Sequence, residues 1–339
     1  MSLLDHSSLS IHFPTQPPPT MAASKNILII GGTGLIGEHI SNAIVSSRQH
    51  FGRIALFTSA NTIFTKSAFV DGLKAQNVEI IVGDIKLADD VREAFTGFDT
   101  VISCVGRQVI SAQLELIRLA DKHPDVKRFF PSEYGTDVEH NANSGAELPH
   151  QAKLKVRAAL AASQNLEYTY IVTGPYADAE RGLYLSAAPP ETEASGSFDV
   201  KRKRAVLLGD PDAKINLTTM RDVGKLVVAA LRFPEESKNK ALLCNSFTAT
   251  PNAILAEFEK QTGGEKWDVA VTDLEMLKQL EKDAWAKQDA RAVPLSLRRI
   301  WSEGGTLYGE PRHNGLVGME ESVDSLQSAV EQAIKVQTE

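Results

Sequence analysis

The sequence predicts an α/β fold in which helices cover both faces of a doubly wound parallel sheet. Short apolar runs alternate with helical stretches from residue 25 onward, and a glycine-rich turn joins the first run to the first helix. Parallel strands need a crossover connection, usually a helix, so this alternation is typical of a parallel sheet. After residue 174 the alternation becomes less regular, which predicts a smaller C-terminal lobe.

Composition excludes several classes of protein. The chain has 339 residues, of which 42% are hydrophobic, and a formal net charge of -7. It lacks the basic surplus that nucleic acid selects, and no apolar run reaches the roughly 18 residues of a membrane helix. Its two cysteines, Cys104 and Cys244, form no CxxC pair, so neither a disulfide framework nor a metal site is predicted. We expect a cytoplasmic globular protein that binds neither nucleic acid nor membrane.

Strands and helices follow one another in a regular order. Short runs rich in β-branched and aromatic residues predict strands over 26–30, 53–58, 78–83, 99–105, 127–132 and 168–174. Apolar residues at three- and four-residue spacing predict helices over 35–47, 88–95, 110–122 and 151–163. The carboxyl ends of parallel strands form one edge of the sheet, and ligands bind there.

The sequence GGTGLIG at 31–37 lies directly between the first strand and the first helix. Such a turn leaves backbone N–H groups directed at a phosphate, and the helix dipole favours negative charge. Gly31 and Gly34 allow the tight turn and the close approach of a pyrophosphate, while Gly37 lets the helix pack closely on the strand. The turn therefore predicts an NAD(P)-binding Rossmann fold. The residues expected to contact the cofactor here are Gly31, Thr33, Gly34, Leu35, Ile36 and Gly37.

The end of the second strand favours NADP(H) over NAD(H). An acidic residue there would bind the ribose hydroxyls of NAD and repel a 2'-phosphate, but the chain has Thr58 and Ser59 instead. Lys66 either supplies positive charge to the 2'-phosphate or is an ordinary surface lysine. Asp84, just past the third strand, either lies at the adenine edge or caps the next helix.

Further cofactor contacts are expected where the later strands end. Tyr176 either packs against nicotinamide or substrate, or belongs to the core. The expected contacts are Cys104, Val105 and Gly106 after the fourth strand, Ser132 and Glu133 after the fifth, where they would line the nicotinamide site, Lys153 on the following helix, and Gly174, Pro175 and Tyr176 after the sixth.

Several motifs, taken in order, resemble one known family. The glycine turn is followed by VISCVG at 101–106, VKRFFPSEYGTD at 126–137, KLKVRAAL at 153–160 and TTMRDVGKLVVAAL at 218–231. Together they resemble the NmrA-like and isoflavone-reductase-like branch of atypical short-chain dehydrogenases. IWSEGGTLYG at 300–309 is similar to fungal members.

The resemblance implies an NADP-binding Rossmann domain with a smaller C-terminal α/β substrate lobe. Members of the family include reductases of isoflavones, phenylcoumaran benzylic ethers and pinoresinol-type lignans, and also NADP-binding regulators without turnover. In the reductases an arginine usually follows the second strand, where this chain has Thr58 or Ser59. The substrate is expected to be a small aromatic or heterocyclic molecule; the oligomeric state is open, a homodimer included.

The domain division follows from these patterns. Residues 1–24 are rich in Ser, Thr and Pro, contain no Lys or Arg and fit neither a secretory nor a mitochondrial signal, so they are predicted to be a disordered tail. The Rossmann domain is predicted over 25–175, with 214–232 packing back onto it. The substrate lobe is predicted over 176–213 and 233–339.

The usual proton donor of short-chain dehydrogenases is missing. Those enzymes use a tyrosine with a lysine four residues later, and none of the six tyrosines of this chain has such a partner. Pro149 stands four residues before Lys153, in the place of the tyrosine. Isoflavone-reductase-like enzymes keep a lysine with an arginine one turn later, and the resemblance maps these onto Lys153 and Arg157.

Helical spacing separates Lys153 from its neighbour Lys155. At about 100° per residue, Lys153 lies within about 20° of Leu160, on the apolar stripe, whereas Lys155 points away from it. Burial lowers the pKa of a lysine and makes it useful as a general acid. The alternative is that Lys153 extends its ammonium past the stripe to water. His150 either lines the pocket or, as we expect, is a capping or surface histidine.

The leading hypothesis is an NADPH-dependent reductase of specialised metabolism. Hydride would pass to a conjugated or aromatic-linked C=C, C=N or C=O bond, with Lys153 as the general acid or base. One alternative is an NADP-sensing regulator without turnover. Another is a cyclase or isomerase in which bound NADP serves a reaction without net redox change.

Overall fold

The computed structural model describes residues 25–308, 313–320 and 322–339. The tail predicted over 1–24 lies outside this part of the chain. The strands are β1 (Ile27–Ile30), β2 (Ile54–Thr58), β3 (Glu79–Val82), β4 (Thr100–Ser103), β5 (Arg128–Phe130), β6 (Glu167–Val172), β7 (Ser197–Asp199), β8 (Arg204–Leu208), β9 (Ile215–Leu217), β10 (Lys240–Leu243), β11 (Phe247–Ala249) and β12 (Asp268–Thr272). The helices are α1 (Leu35–Ser46), α2 (Ala60–Thr65), α3 (Ser67–Ala75), α4 (Ala88–Phe95), α5 (Gln113–Lys122), α6 (Gln151–Ala161), α7 (Met220–Arg232), α8 (Pro234–Ser237), α9 (Pro251–Gln261), α10 (Leu274–Ala286), α11 (Ala292–Ser302) and α12 (Leu326–Thr338).

A parallel sheet of seven strands lies at the centre, in the order β10-β6-β5-β4-β1-β2-β3. From β1 the chain builds β2 and β3 on one side and β4 to β6 on the other. Ile30, the last residue of β1, pairs with Phe57 of β2 and with Ser103 of β4. A crevice opens where the winding direction reverses, outside the carboxyl ends of the strands, and ligands of this fold bind there. The predicted doubly wound Rossmann sheet is confirmed.

One strand of this sheet comes from an unexpected part of the chain. β10 lies within the range 233–339 that the sequence assigns to the substrate lobe, yet it pairs with β6 from Lys240 and Thr169 to Leu243 and Val172. Those residues belong to the Rossmann sheet instead. The run has only four residues and begins with a lysine, so its local sequence predicts a strand weakly, and its pairing with a strand about seventy positions earlier stabilises it.

The sheet is buried on both faces. On one face α1, α3 and α7 cover it with residues such as Ile40, Val70 and Val227. On the other face α4, α5 and α6 contribute residues such as Phe95, Leu116 and Val156. Strands covered on both sides are apolar at successive positions, which is why β1 and β4 are buried throughout. α6, which carries Lys153, is thereby fixed against the sheet.

The smaller lobe has a core of its own. β12, β8 and β7 form a three-stranded sheet, and β9 pairs with β11. α9 and α12 pack against these strands around Phe198 and Phe258, whose rings stack with centroids 5.2 Å apart. α10 and α11 form a hairpin with a separate small core that includes Leu277 and Leu295. None of the helices described is long and apolar enough to cross a membrane.

Candidate active site

The glycine turn after β1 is packed so tightly that side chains are excluded. Gly31 has a φ of +76°, and a Cβ there would lie 2.8 Å from the carbonyl oxygen of Cys104. A Cβ on Gly37 would collide with the carbonyl oxygen of Gly31. Glycine at both positions therefore lets α1 begin directly against the ends of β1 and β4.

α1 presents an open N-terminus at this turn. Gly34 is its N-cap and provides no side-chain hydrogen bond to the first N–H groups of the helix. These groups are free to bind an anion, and the dipole of a helix of 12 residues adds to their attraction. The excluded side chains and the uncapped helix end together fit the pyrophosphate of a dinucleotide.

The end of β2 carries no acid. Thr58 is buried, and the Oγ of Ser59 caps α2 by accepting a hydrogen bond from the Thr62 backbone N–H at 3.2 Å. The Nζ of Lys66 lies 3.0 Å from a carboxylate oxygen of Glu38 in the first turn of α1. Lys66 therefore lies close to the glycine turn, although Glu38 balances part of its charge.

Asp84 forms a turn rather than a helix cap. Its Oδ1 accepts from the backbone N–H of Lys86 at 2.9 Å, and its own N–H donates to Asp90 at 2.8 Å. The N-cap of α4 is Leu87. Of the two interpretations of Asp84, the helix cap is wrong, and a contact with adenine stays a prediction.

The residues after β4 and β5 hold these two strand ends together. The hydroxyl of Ser132 donates to the carbonyl oxygen of Val105 at 2.9 Å. The backbone N–H of Ser132 donates to the side-chain oxygen of Gln113 at 2.8 Å. Burial raises the pKa of the Cys104 thiol to about 12, so this cysteine stays protonated and is no nucleophile. The neighbouring Gly106 is exposed at the crevice.

A cavity of about 190 Å³ lies at the carboxyl edge of the sheet, below α11. Lys153 contributes to its wall and donates a hydrogen bond to the carbonyl oxygen of Glu133. Lys155 is exposed on the opposite side of α6. The cavity is lined by Arg107, Tyr134, Gly135, Thr136, Val138, Pro149, His150, Lys153, Gly174, Pro175, Tyr176, Leu183, Leu297 and Trp301.

Burial lowers the pKa of Lys153 to about 8. The positive charges of Arg107 and Arg157 lower it further, while Glu133 opposes them. A pKa this close to neutral allows the ammonium to give up and regain a proton at ordinary pH. The arrangement therefore suits a general acid or base, as the helical spacing predicted.

Arg157 does not reach the cavity. Its guanidinium lies 3.0 Å from the Glu133 carboxylate and 2.6 Å from that of Glu139, above the ring of Tyr170. Glu133 is only 2% exposed, and its carboxylate faces Arg157. The Glu133 side chain therefore does not line this cavity, and a contact of Glu133 with the cofactor stays a prediction. Arg157 holds Glu133, whose carbonyl oxygen in turn holds Lys153.

His150 is buried, contrary to the expectation of a surface histidine; it occupies the N-cap position of α6 but makes no side-chain capping hydrogen bond. It is 2% exposed, and its Nδ1 lies 2.9 Å from the carbonyl oxygen of Ser144. A carbonyl only accepts, so Nδ1 carries the proton and Nε2 is an acceptor. Nε2 has no partner among the described residues. Burial lowers the pKa of His150 and keeps the ring neutral.

The residues after β6 complete the cavity wall. Gly174, with a φ of +68°, and Pro175 turn the chain towards the lobe. The hydroxyl of Tyr176 donates to the carbonyl oxygen of Tyr134. Burial raises the pKa of Tyr176, so its phenol stays neutral. Tyr176 therefore both lines the cavity and packs in the core, and its contact with nicotinamide stays a prediction.

α11 covers the cavity with residues that the sequence analysis did not select. The indole N–H of Trp301 donates to the hydroxyl of Thr136 at 2.8 Å. Arg299 joins the same helix to Glu147 through a contact of 2.6 Å. Arg107 follows Gly106 directly at the carboxyl edge, and this position could have identified it as a cavity residue from the sequence. For Trp301 the sequence offered only its place in the segment 300–309 that resembles fungal members of the family.

In the part of the chain that the structure describes, no cluster of His, Cys, Asp or Glu could hold a metal ion.

Comparison with known proteins decides the family. Residues 23–299 match the model of the NmrA-like family. The chain belongs to this family. An NmrA-like relative, the phenylcoumaran benzylic ether reductase Pyrc5 of Pyrus communis, is 30% identical over 82% of this chain and 85% of its own. The oxidoreductase aprR of Aspergillus flavus is 31% identical over 81% of this chain and 86% of its own.

A solved structure agrees with the fold of this NmrA-like chain. The complex of leucoanthocyanidin reductase with NADPH from Vitis vinifera superposes with a TM-score of 0.75 at 20% identity. The match covers 91% of this chain and 99% of the other. The prediction of an oxidoreductase is confirmed by these relatives, and the preference for NADP(H) stays a prediction. The individual contacts predicted for the cofactor stay predictions.

Proposed function

We propose that this NmrA-like protein is an NADPH-dependent reductase of specialised metabolism with Lys153 as its general acid. The observation that carries the proposal is the position of Lys153 in the wall of the cavity, with its pKa lowered to about 8. The substrate would be a small aromatic or heterocyclic molecule with a conjugated or aromatic-linked C=C, C=N or C=O bond. The substrates of the reductases among its relatives support this class.

The residues available to NADPH lie along the carboxyl edge of the sheet. The glycine turn and the N-terminus of α1 would bind the pyrophosphate, and Lys66, near Ser59, would offer positive charge to the 2'-phosphate. Bound NADPH would supply a hydride at this edge. Gly174, Pro175 and Tyr176 would limit the space beside it. The cavity is small, so a compact substrate fits without movement of α11.

Lys153 would provide the proton that accompanies reduction. One of its three N–H bonds is directed to the carbonyl oxygen of Glu133, which leaves two for the substrate heteroatom that gains negative charge. Arg157 positions Glu133 and so fixes the ammonium. Leu297 and Trp301, which line the cavity, would exclude water from a bound substrate and so strengthen the electrostatic attraction within the cavity.

The test compares NADPH consumption with product formation. Purified protein is titrated with NADPH and NADH by fluorescence, then assayed with one-ring aromatic and heterocyclic compounds that carry a conjugated C=C, C=N or C=O bond. The proposal predicts tighter binding of NADPH and equal amounts of NADPH consumed and product formed. Binding without consumption would indicate an NADP sensor, and product without net consumption would indicate a cyclase or isomerase. Tighter binding of NADH would contradict the cofactor assignment.

A further inference from the structure

Arg107 is an arginine without a counter-ion at the wall of the cavity. Its side chain makes no ion pair or hydrogen bond with any described residue. Arg157 and Arg299 nearby are each held by more than one carboxylate. Loss of solvent lowers the pKa of Arg107, and Tyr176 is the group that opposes this effect. Arg107 is nevertheless exposed in this structure, so water solvates its guanidinium. A ligand that fills the cavity would displace that water, and a guanidinium left unpaired there is unfavourable unless the ligand itself is an anion.

The cavity as a whole carries excess positive charge. Arg107 and Lys153 line it, together with a neutral His150, and no Asp or Glu is among its described lining residues. The nearest carboxylates, Glu133 and Asp137, face Arg157 instead. Arg107 also acts on Lys153, since its charge lowers the pKa of that lysine. A negatively charged ligand would balance both cations at once.

Two anions could reach Arg107: a carboxylate of the substrate and a phosphate of the cofactor. The glycine turn and the open end of α1 already offer N–H groups to the phosphates. Arg107 instead shares its cavity with Leu297 and Trp301, which come from the lobe opposite that turn. Its position therefore favours the substrate.

We propose that Arg107 binds a carboxylate of the substrate, so that this enzyme reduces a compact aromatic acid at a separate conjugated C=C, C=N or C=O bond. That bond takes the hydride of NADPH and the proton of Lys153, while the carboxylate stays unchanged. The carboxylate accepts two parallel N–H bonds from the guanidinium, and the ring lies against Leu297 and Trp301. The cavity of about 190 Å³ is below the roughly 300 Å³ at which pockets for drug-sized ligands begin, which limits the acid to about one ring. The inference rests on the proposed reductase function and specifies its substrate.

The test uses 4-hydroxybenzoate and its uncharged methyl ester as probes. Each is titrated by calorimetry into the protein saturated with NADP+. We expect the acid to bind at least about tenfold more tightly than the ester to the wild type, and the two to bind alike to Arg107→Met. Arg107→Lys retains the charge but not the planar fork and should keep part of the preference. Arg118→Met, which removes an exposed arginine on α5, is the matched control and should keep all of it.

Separate titrations of NADP+ distinguish the possible failures. We expect NADP+ to bind wild type and Arg107→Met with the same affinity within about twofold. Equal binding of acid and ester to the wild type, or binding of neither, overturns the proposal. So does a loss of NADP+ affinity in Arg107→Met with an unchanged preference for the acid, because Arg107 would then hold a cofactor phosphate. Failure of the wild type to bind NADP+ at all would contradict the reductase function itself.

Discussion

Replacing Lys153 by methionine should stabilise the protein while removing its activity. Folding lowers the pKa of Lys153 from 10.5 to about 8, and at pH 7 the buried ammonium keeps its proton at a cost. At about 1.4 kcal/mol for each tenfold change in proton affinity, the cost is at most about 3.5 kcal/mol. Lys153 is only partly buried, and the substitution also loses its hydrogen bond to Glu133, so the gain is smaller than this bound. We expect Lys153→Met to raise the free energy of unfolding by about 1–3 kcal/mol.

The gain should depend on pH in a defined direction. The folded pKa lies below the unfolded one, so between pH 8 and 10.5 the unfolded chain binds more protons and the wild type becomes more stable as pH rises. The advantage of Lys153→Met is therefore complete below about pH 8 and declines towards pH 10.5.

Urea denaturation at neutral and alkaline pH measures this difference. Lys155→Met is the matched control, because Lys155 is exposed on the same helix, and its stability should stay within about 0.5 kcal/mol of the wild type. The reasoning would be refuted if Lys153→Met were no more stable than Lys155→Met at pH 7, or if its advantage did not decline at alkaline pH.

Three other substitutions test the geometry around the cavity. In Lys153→Met the pKa of His150 should rise, because the charge of Lys153 lowers it; an NMR titration that shows no change would place the two side chains apart. Gly37→Ala should lower the free energy of unfolding by about 1–3 kcal/mol and remove most of the NADPH affinity, since its Cβ meets the Gly31 carbonyl. Gly72→Ala on α3, with open space around it, should be neutral or stabilising. Equal effects of the two substitutions would contradict the tight turn. Arg157→Met should lower the free energy of unfolding, measured by urea denaturation, by about 3–5 kcal/mol, because it leaves the Glu133 carboxylate buried and unpaired. Adding Glu133→Gln should restore part of that stability, and no restoration would refute the pairing.

The sequence predicted the Rossmann sheet because its strands are continuous apolar runs. Residues 27–30 and 100–103 are buried on both faces and so show the pattern that defines a central parallel strand. β10 gave no such pattern. In its sequence KALL only Leu242 is buried and Lys240 is exposed, and its pairing with β6 depends on a contact far along the chain.

The candidate site was predictable where local spacing determines it. The phase of α6 was enough to separate Lys153 from Lys155, and the glycine spacing identified Gly31 and Gly37. His150 was misjudged because its burial depends on the carbonyl oxygen of Ser144, which a short turn brings beside the ring. The local sequence around it is polar.

The remaining site residues depend on tertiary contacts. Trp301 meets Thr136 only because α11 folds over the sheet from a position 165 residues later in the chain. Glu133 turns away from the cavity because Arg157 is buried beside it, and no spacing rule indicates that pairing before the fold is known.

The central claim is that Lys153 supplies the proton in NADPH-dependent reduction. The most direct test measures kcat/KM and NADPH affinity for wild type, Lys153→Met and Lys155→Met with a substrate that the wild type turns over. The account predicts that Lys153→Met loses at least about 100-fold in kcat/KM while it binds NADPH normally, and that Lys155→Met matches the wild type. The wild-type rate should fall above about pH 8, where Lys153 loses its proton. Full turnover by Lys153→Met would contradict the account.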